Sequence, residues 1–356
     1  MDYRAKLYNL LDETVKKGAS DIHLNVGFKP TIRVDGFLTP IEAEPVITPE
    51  MAEGFVLSLL TPEQKERFLA EREIDLGYNY LDKARFRVNV YFQKGFMSAA
   101  MRLVPARIKT LDEMEMPPII HQFSGLSQGF VLVVGPAGHG KSATLAAMLD
   151  EINHTRKEHI ITVEDPIEYL FTPDKCMVSQ REVNIDTVDF HRALKSVLRQ
   201  DPDVIMIGEM RDQESISTAL TAAETGHLVF STLHTNSASQ TIDRIIDTFP
   251  PEKQLQISTQ LAATLVGVVS KRLLPKVGGG RIPACEVLLV NSAIRNLIRE
   301  RKTHQLDLVI ETNLKNGMLS LNRSLAMLVK QKKITLEDAQ LYSLNPNELS
   351  LLLEKV

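Results

Sequence analysis

The octet Gly135-Pro136-Ala137-Gly138-His139-Gly140-Lys141-Ser142 matches the pattern G-x-x-x-x-G-K-[ST] in full. Glycines at this spacing let backbone N–H groups turn inward around phosphate oxygens. Lys141 is placed to reach the β- and γ-phosphates of a nucleotide, and the Ser142 hydroxyl to bind Mg²⁺. An apolar strand at 130–134 precedes the octet and a helix at 143–152 follows it, which is the context the pattern requires. The helix N-terminus adds its positive dipole end at the same place. The ATP-binding set therefore runs from Gly135 to Ala143, with His139 adding an ionisable ring near the phosphates.

A phosphate cradle alone does not hydrolyse anything. The run Ile160-Ile161-Thr162-Val163 ends in Glu164-Asp165-Pro166-Ile167-Glu168, and the run Val204-Ile205-Met206-Ile207-Gly208 ends in Glu209. Each puts a carboxylate just past the carboxyl end of a predicted strand. In a parallel sheet those ends share the edge where ligands bind, and the P-loop leaves its own strand there too. Hydrolysis needs a Mg²⁺ ion and a group that positions or deprotonates water. Glu209 is the first candidate for the water-activating base. Glu164 then holds the Mg²⁺ shell or shares the base role, and the spacing leaves that division open.

His227 and His234 flank the predicted strand 228–232. Seven residues of strand span roughly 23 Å, so the two cannot bind one metal. His234 falls at the carboxyl end, where it could sense a γ-phosphate. His227 falls at the other end, which suits a structural role or a subunit contact. Earlier in the chain, Arg85, Arg87 and Arg102 sit on strand-like runs. Arg85 and Arg87 are two apart and share a face. Arginine suits charge stabilisation on a phosphoryl group, although a solvated sheet face would carry the same spacing.

These groups need a scaffold. The chain opens with an amphipathic helix, followed by strands at 21–25, 31–34 and 37–41, with Asp35-Gly36 as a turn signal. A helical stretch at 49–71 breaks near Thr61-Pro62. Strands at 74–80, 84–93 and 95–103 then suggest an antiparallel sheet. From Gly129 onward, apolar runs at 130–134, 160–163, 204–207 and 228–232 alternate with helices, the pattern of a parallel α/β sheet. The end is helical, at 293–301, 319–330 and 336–342. Gly278-Gly279-Gly280 reads as a flexible loop. The expected domains are 1–104 (α+β), 105–118 (linker), 119–291 (nucleotide-binding core) and 292–356 (helical).

At 356 residues the chain exceeds the roughly 250–300 residues at which single cores stop growing. Its 41 basic and 45 acidic residues give a net charge of −4, so no global basic field invites nucleic acid. Its two cysteines, Cys176 and Cys285, are far apart and form no CxxC pair, which suits reduced thiols rather than a disulfide or zinc site. No apolar run approaches the ~18 residues of a membrane span, and the N-terminus lacks the core of a signal peptide. A cytoplasmic protein is expected.

The blocks GPAGHGKS, ITVEDPIEY, DPDVIMIGEMRD and ETGHLVFSTLHTNSA resemble, in order, the Walker A, Asp box, Walker B and His box of the secretion ATPase superfamily. Within it the chain is similar to the pilus retraction ATPases. The deciding segment is Ala293-Ile294-Arg295-Asn296-Leu297-Ile298-Arg299-Glu300, which resembles their AIRNLIRE helix. Read by itself, this helix buries Ile294, Leu297 and Ile298 and leaves Arg295 and Arg299 on another face.

The resemblance implies a PAS-like N-terminal domain followed by a RecA-like P-loop ATPase domain. It implies a homo-hexameric, Mg²⁺-dependent ATPase that drives type IV pilus retraction and twitching motility. It would act at the inner-membrane base of the pilus machine, against a membrane platform protein, and a second retraction ATPase is a further candidate partner. Residues matching Arg87 and Arg102 would swing toward the γ-phosphate. Ala137, His139 and Ala143 replace the more usual Thr, Ser and Thr, and leave the glycines, Lys141 and Ser142 intact. The four-cysteine zinc module of extension and type II secretion ATPases is missing. Rival readings are an accessory retraction ATPase, a nucleotide-dependent scaffold with little turnover, and a nucleic-acid translocase. No aromatic–basic cluster supports the last.

Overall fold

The computed structural model describes residues 2–34, 36–81, 83–105 and 107–355. The chain divides into two compact units. One comprises the first 107 residues with Pro166–Leu170, and the other Ile108–Asp165 with Phe171–Val356.

In the first unit, α1 (Tyr3–Lys16) starts at Asp2, whose carboxylate caps it by accepting from Ala5 N–H. It buries Leu7, Leu10 and Leu11 on one face. Strands β1 (Asp21–Leu24), β2 (Thr31–Val34) and β3 (Phe37–Pro40) follow. The β2–β3 turn brings Val34 opposite Phe37. Gly36 there has φ +88°, and Asp35 of the expected turn lies outside the described residues. Helices α2 (Pro49–Leu59) and α3 (Pro62–Glu71) are separate because Thr61 forms a capping box with Gln64 and Pro62 opens the next helix. Strands β4 (Glu73–Tyr80), β5 (Ala84–Gln93) and β6 (Phe96–Val104) complete a sheet of order β3-β2-β1-β6-β5-β4 among the described residues. Among the described residues its strand pairings are all antiparallel. Phe55, Phe68, Phe86, Val88 and Met101 fill the core.

The second unit begins with α4 (His121–Ser124), β7 (Gly129–Val134), α5 (Lys141–Thr155), β8 (His159–Glu164), β9 (Met177–Glu182) and α6 (Phe190–Val197). It continues with β10 (Val204–Ile207), α7 (Gln213–Glu224), β11 (Leu228–Leu233), α8 (Ala238–Asp247) and α9 (Pro251–Thr264). Then come β12 (Leu265–Pro275), β13 (Arg281–Leu289), α10 (Ser292–Arg299), α11 (Leu306–Thr312), α12 (Leu321–Lys330), α13 (Leu336–Tyr342) and α14 (Pro346–Lys355).

The sheet runs β13-β12-β7-β11-β10-β8-β9 among the described residues. It is parallel except for the antiparallel β12–β13 pair. Every residue of β7, β10 and β11 is buried, as expected of strands covered on both faces by helices. The fold is thus an α+β domain followed by a RecA-like α/β domain with a helical end.

Three strands differ from expectation. The expected strands are the sheet's centre, while β9, β12 and β13 flank them. Gly278-Gly279-Gly280, read as a flexible loop, instead forms the turn of the β12–β13 hairpin. All three have positive φ, and Lys276 N–H donates to the Gly280 carbonyl at 3.1 Å. Among the described residues, no helix is long and apolar enough to cross a membrane.

Candidate active site

The P-loop leaves β7 at Gly135 and enters α5 at Lys141. Gly135 adopts φ +145°, and a Cβ there would stand 2.3 Å from the Lys271 carbonyl, so only glycine fits. Gly140, at φ +75°, is the residue before α5 and offers no side chain to cap it. The first N–H groups of α5 are thereby left for an anion.

The Lys141 ammonium folds back over this loop. It donates to the carbonyls of Gly135 and Pro136, each at 3.0 Å. It also lies 3.3 Å from His234 Nδ1. A lysine ammonium only donates, so Nδ1 accepts and the neutral ring carries its proton on Nε2. That Nε2 faces Glu209 Oε2 at 3.6 Å. Lys141, His234 and Glu209 are thus strung together at one edge of the sheet. Glu209 also pairs with Arg211.

Strand register brings this about. Val163 pairs with Ile207, Ile207 with Ser231, and Leu233 with Val134. The carboxyl ends of β8, β10, β11 and β7 therefore finish side by side. Gly208 lets the turn before Glu209 pass close to β8, since a Cβ there would meet the Val163 carbonyl at 3.2 Å. Thr232 Oγ1 pins the same turn by donating to the Gly208 carbonyl at 2.7 Å. Glu164, at the end of β8, is buried and accepts from Thr162 Oγ1 at 2.7 Å and from Gln180 Nε2 at 3.4 Å. Ser142 is half-buried in the first turn of α5.

The family model for type II/IV secretion system proteins matches residues 4–308. The chain belongs to that family. It is 45% identical over 331 residues to the "Type IV pilus retractation ATPase PilT" of Pseudomonas aeruginosa, covering 93% of this chain and 96% of that protein. It is 37% identical over 346 residues to the "Type IV pilus ATPase PilU" of the same organism, covering 97% and 90% respectively. A crystal structure of the pilus retraction motor PilT with bound ADP matches with a TM-score of 0.90 at 44% identity, covering 97% of this chain and 98% of that one.

Other candidates of this secretion family member lie apart from the string. His227 precedes β11, at the strand end opposite His234, and its Nδ1 lies 2.9 Å from the Ala222 carbonyl at the end of α7. His139 turns toward β12, where its Nδ1 accepts from Leu273 N–H at 2.9 Å. Burial, helped by Arg272 and Lys141, pushes its pKa down.

Arg87 and Arg102 pair directly across β5 and β6 in the first unit. Each meets an acid: Arg87 reaches Glu168 at 3.5 Å, and Arg102 reaches Asp21 at 2.8 Å. Arg85 donates to Asn79 at 2.7 Å. In α10, Asn291 caps the helix by accepting from Ile294 N–H, and Ile294 and Ile298 are buried, with Leu297 only half-buried. Ala293, Asn296, Arg299 and Glu300 are exposed and Arg295 half-exposed.

Two residues at the site escaped sequence reading. Arg211 stands two past Glu209 in the motif block, but nothing in a loop sequence says it turns back. Lys271 lies under the P-loop from a strand that no motif marks.

Proposed function

We propose that this protein is a Mg²⁺-dependent ATPase that assembles as a homo-hexameric ring, powers type IV pilus retraction and thereby drives twitching motility. The observation that carries the chemistry is the convergence of Lys141, His234 and Glu209 at the P-loop edge of the sheet. Similarity along nearly the full length of PilT supports the motor role. The domain limits 1–104, 105–118, 119–291 and 292–356 are proposed as the working parts.

Gly135 to Ala143 would hold the nucleotide, with backbone N–H groups and the N-terminus of α5 facing its phosphates. The fit is supported by the loop's conformation: Gly135, Gly138 and Gly140 all take positive φ, and Gly140 leaves the first turn of α5 without a side-chain cap. Ser142 and Glu164 offer the oxygen donors that Mg²⁺ prefers. Mg²⁺ would neutralise charge on the phosphate oxygens. Glu209 would take the proton of the attacking water and orient its lone pair toward phosphorus. His234, with its Nε2 proton aimed at Glu209 and its Nδ1 on Lys141, would report whether a γ-phosphate is in place. Arg87 and Arg102 would exchange their present acids for phosphate oxygens, which the planar guanidinium suits. Arg295 and Arg299 on α10 would serve retraction rather than nucleotide binding. The protein would work in the cytoplasm at the inner-membrane base of the pilus, against a platform protein, with a second retraction ATPase as a further partner.

The similarity to PilU favours one second reading, an accessory retraction ATPase with the same chemistry. Expression in a retraction-deficient strain of a pilated relative, with twitching scored on agar, tests the proposal. Restored twitching without any other retraction ATPase supports the main motor. Twitching restored only beside another such ATPase moves the protein to the accessory role.

A further inference from the structure

Strand β12 supports the P-loop from behind at three points. Leu273 N–H donates to His139 Nδ1 at 2.9 Å. The Lys271 carbonyl packs against Gly135. The Lys271 ammonium reaches further, donating to the Gly140 carbonyl at 3.3 Å and to Thr144 Oγ1 at 2.9 Å. Lys271 therefore holds the junction between loop and helix, the same turn whose N–H groups would face phosphate.

Its side chain is inside the protein, with the residue only 2% exposed. The titratable groups facing it are Cys285, its partner in the β12–β13 register, Arg281 on β13, and His139 in the P-loop. Burial pushes the Cys285 thiol up to about 12, so it stays neutral. Arg281 and His139 are cationic or neutral. None of the three supplies a negative charge at neutral pH. Burial accordingly pulls Lys271 down to about 8.

We infer that Lys271 is a positioning residue for the nucleotide site, a second lysine that braces the P-loop from the interior and takes up a proton when a polyphosphate binds. The inference rests on the nucleotide reading of the P-loop. Lys141 touches the phosphates, whereas Lys271 acts through Gly140 and Thr144. A polyphosphate placed on the far side of one backbone layer is the anion that Lys271 otherwise lacks. In a buried setting such a charge favours the ammonium and raises its pKa. The sign follows from linkage. The protonated form is favoured in the complex, so its contribution to affinity is complete below the unliganded value. That contribution fades as pH rises through the higher, liganded value.

The test is ADP titration calorimetry on the full chain with Mg²⁺, between about pH 8 and pH 10, in two buffers of different ionisation enthalpy. ADP phosphates are already ionised there, since their last pKa lies near 6. With a one-unit rise in pKa, the expected uptake is greatest midway between the two values, at about half a proton per site. The same rise lowers the affinity about fivefold across this range. Lys271→Met should bind ADP with no uptake and a flatter pH profile. Lys271→Gln, which keeps a donor for Gly140 and Thr144, should behave alike and covers the case in which the methionine variant fails to fold. Binding by the wild-type protein without proton uptake overturns the inference, as does uptake that persists in both variants. Absence of any ADP binding by the wild-type protein overturns the nucleotide reading as well.

Discussion

Two groups of strands frame the P-loop, and they do so by different means. On one side β8, β10 and β11 carry Glu164, Glu209 and His234 at or just beyond their carboxyl ends. On the other, β12 offers Lys271 and the Leu273 amide from mid-strand. The first group presents side chains to the open edge of the sheet. The second holds the loop from within. The contrast separates groups proposed to act on the nucleotide from groups that keep its cradle in shape.

Substitutions can break that contrast, and the largest effect is expected on the acting side. Lys141→Ala should weaken ADP binding by roughly 100-fold or more, as loss of a paired charge commonly does, and abolish turnover. Calorimetry with ADP checks this. On the supporting side, Gly135→Ala forces a Cβ to within 2.3 Å of the Lys271 carbonyl. The overpacking should cost about 1–3 kcal/mol in urea unfolding and impair ADP binding as well.

The helix α10 gives a sharper pair. Ile298→Ala removes a fully buried side chain and should cost about 2–5 kcal/mol. Arg299→Ala, on the exposed face, should leave stability within about 0.5 kcal/mol. If α10 serves retraction, Arg299→Ala should nonetheless reduce twitching.

The smallest effect concerns His121, which bridges Glu151 at 2.6 Å and Asp112 at 3.3 Å. Its bond to Glu151 raises its pKa. The stabilisation is therefore complete below the ordinary histidine value and lost as pH rises through the raised one. His121→Asn should lower the unfolding temperature more at about pH 5.5 than at about pH 8.5.

The same contrast explains what could be read in advance. Glu164, Glu209 and His234 follow short apolar runs, and such runs declare both the strand and the end at which the polar residue emerges. Their meeting was legible because parallel strands share a direction. The β12–β13 hairpin was not. Its apolar start continues from α9 without a break, so helix and strand periodicity cannot be told apart at residues 261–269. Its glycine turn reads as any loop would. Met177–Glu182 is missed for another reason: it is a polar strand that pairs along β8 at the edge of the sheet, and its sequence carries no apolar run. Lys271 was invisible because a lysine in sequence reads as surface, and only the tertiary register puts this one under Gly140. The cross-strand pairing of Arg87 with Arg102 is of the same kind, since two arginines fifteen residues apart meet only through the β5–β6 register.

The central claim is that Glu209 activates water on a nucleotide held by the P-loop. Its most direct test is Mg²⁺-dependent phosphate release from ATP by the purified protein and by Glu209→Gln, with ADP affinity and assembly state measured on the same samples. The expected result is turnover by the wild-type protein, a fall of at least about 100-fold in the variant, and ADP affinity changed by no more than about threefold. Normal turnover by Glu209→Gln would contradict the choice of base, and tight binding without turnover by the wild-type protein would contradict the motor.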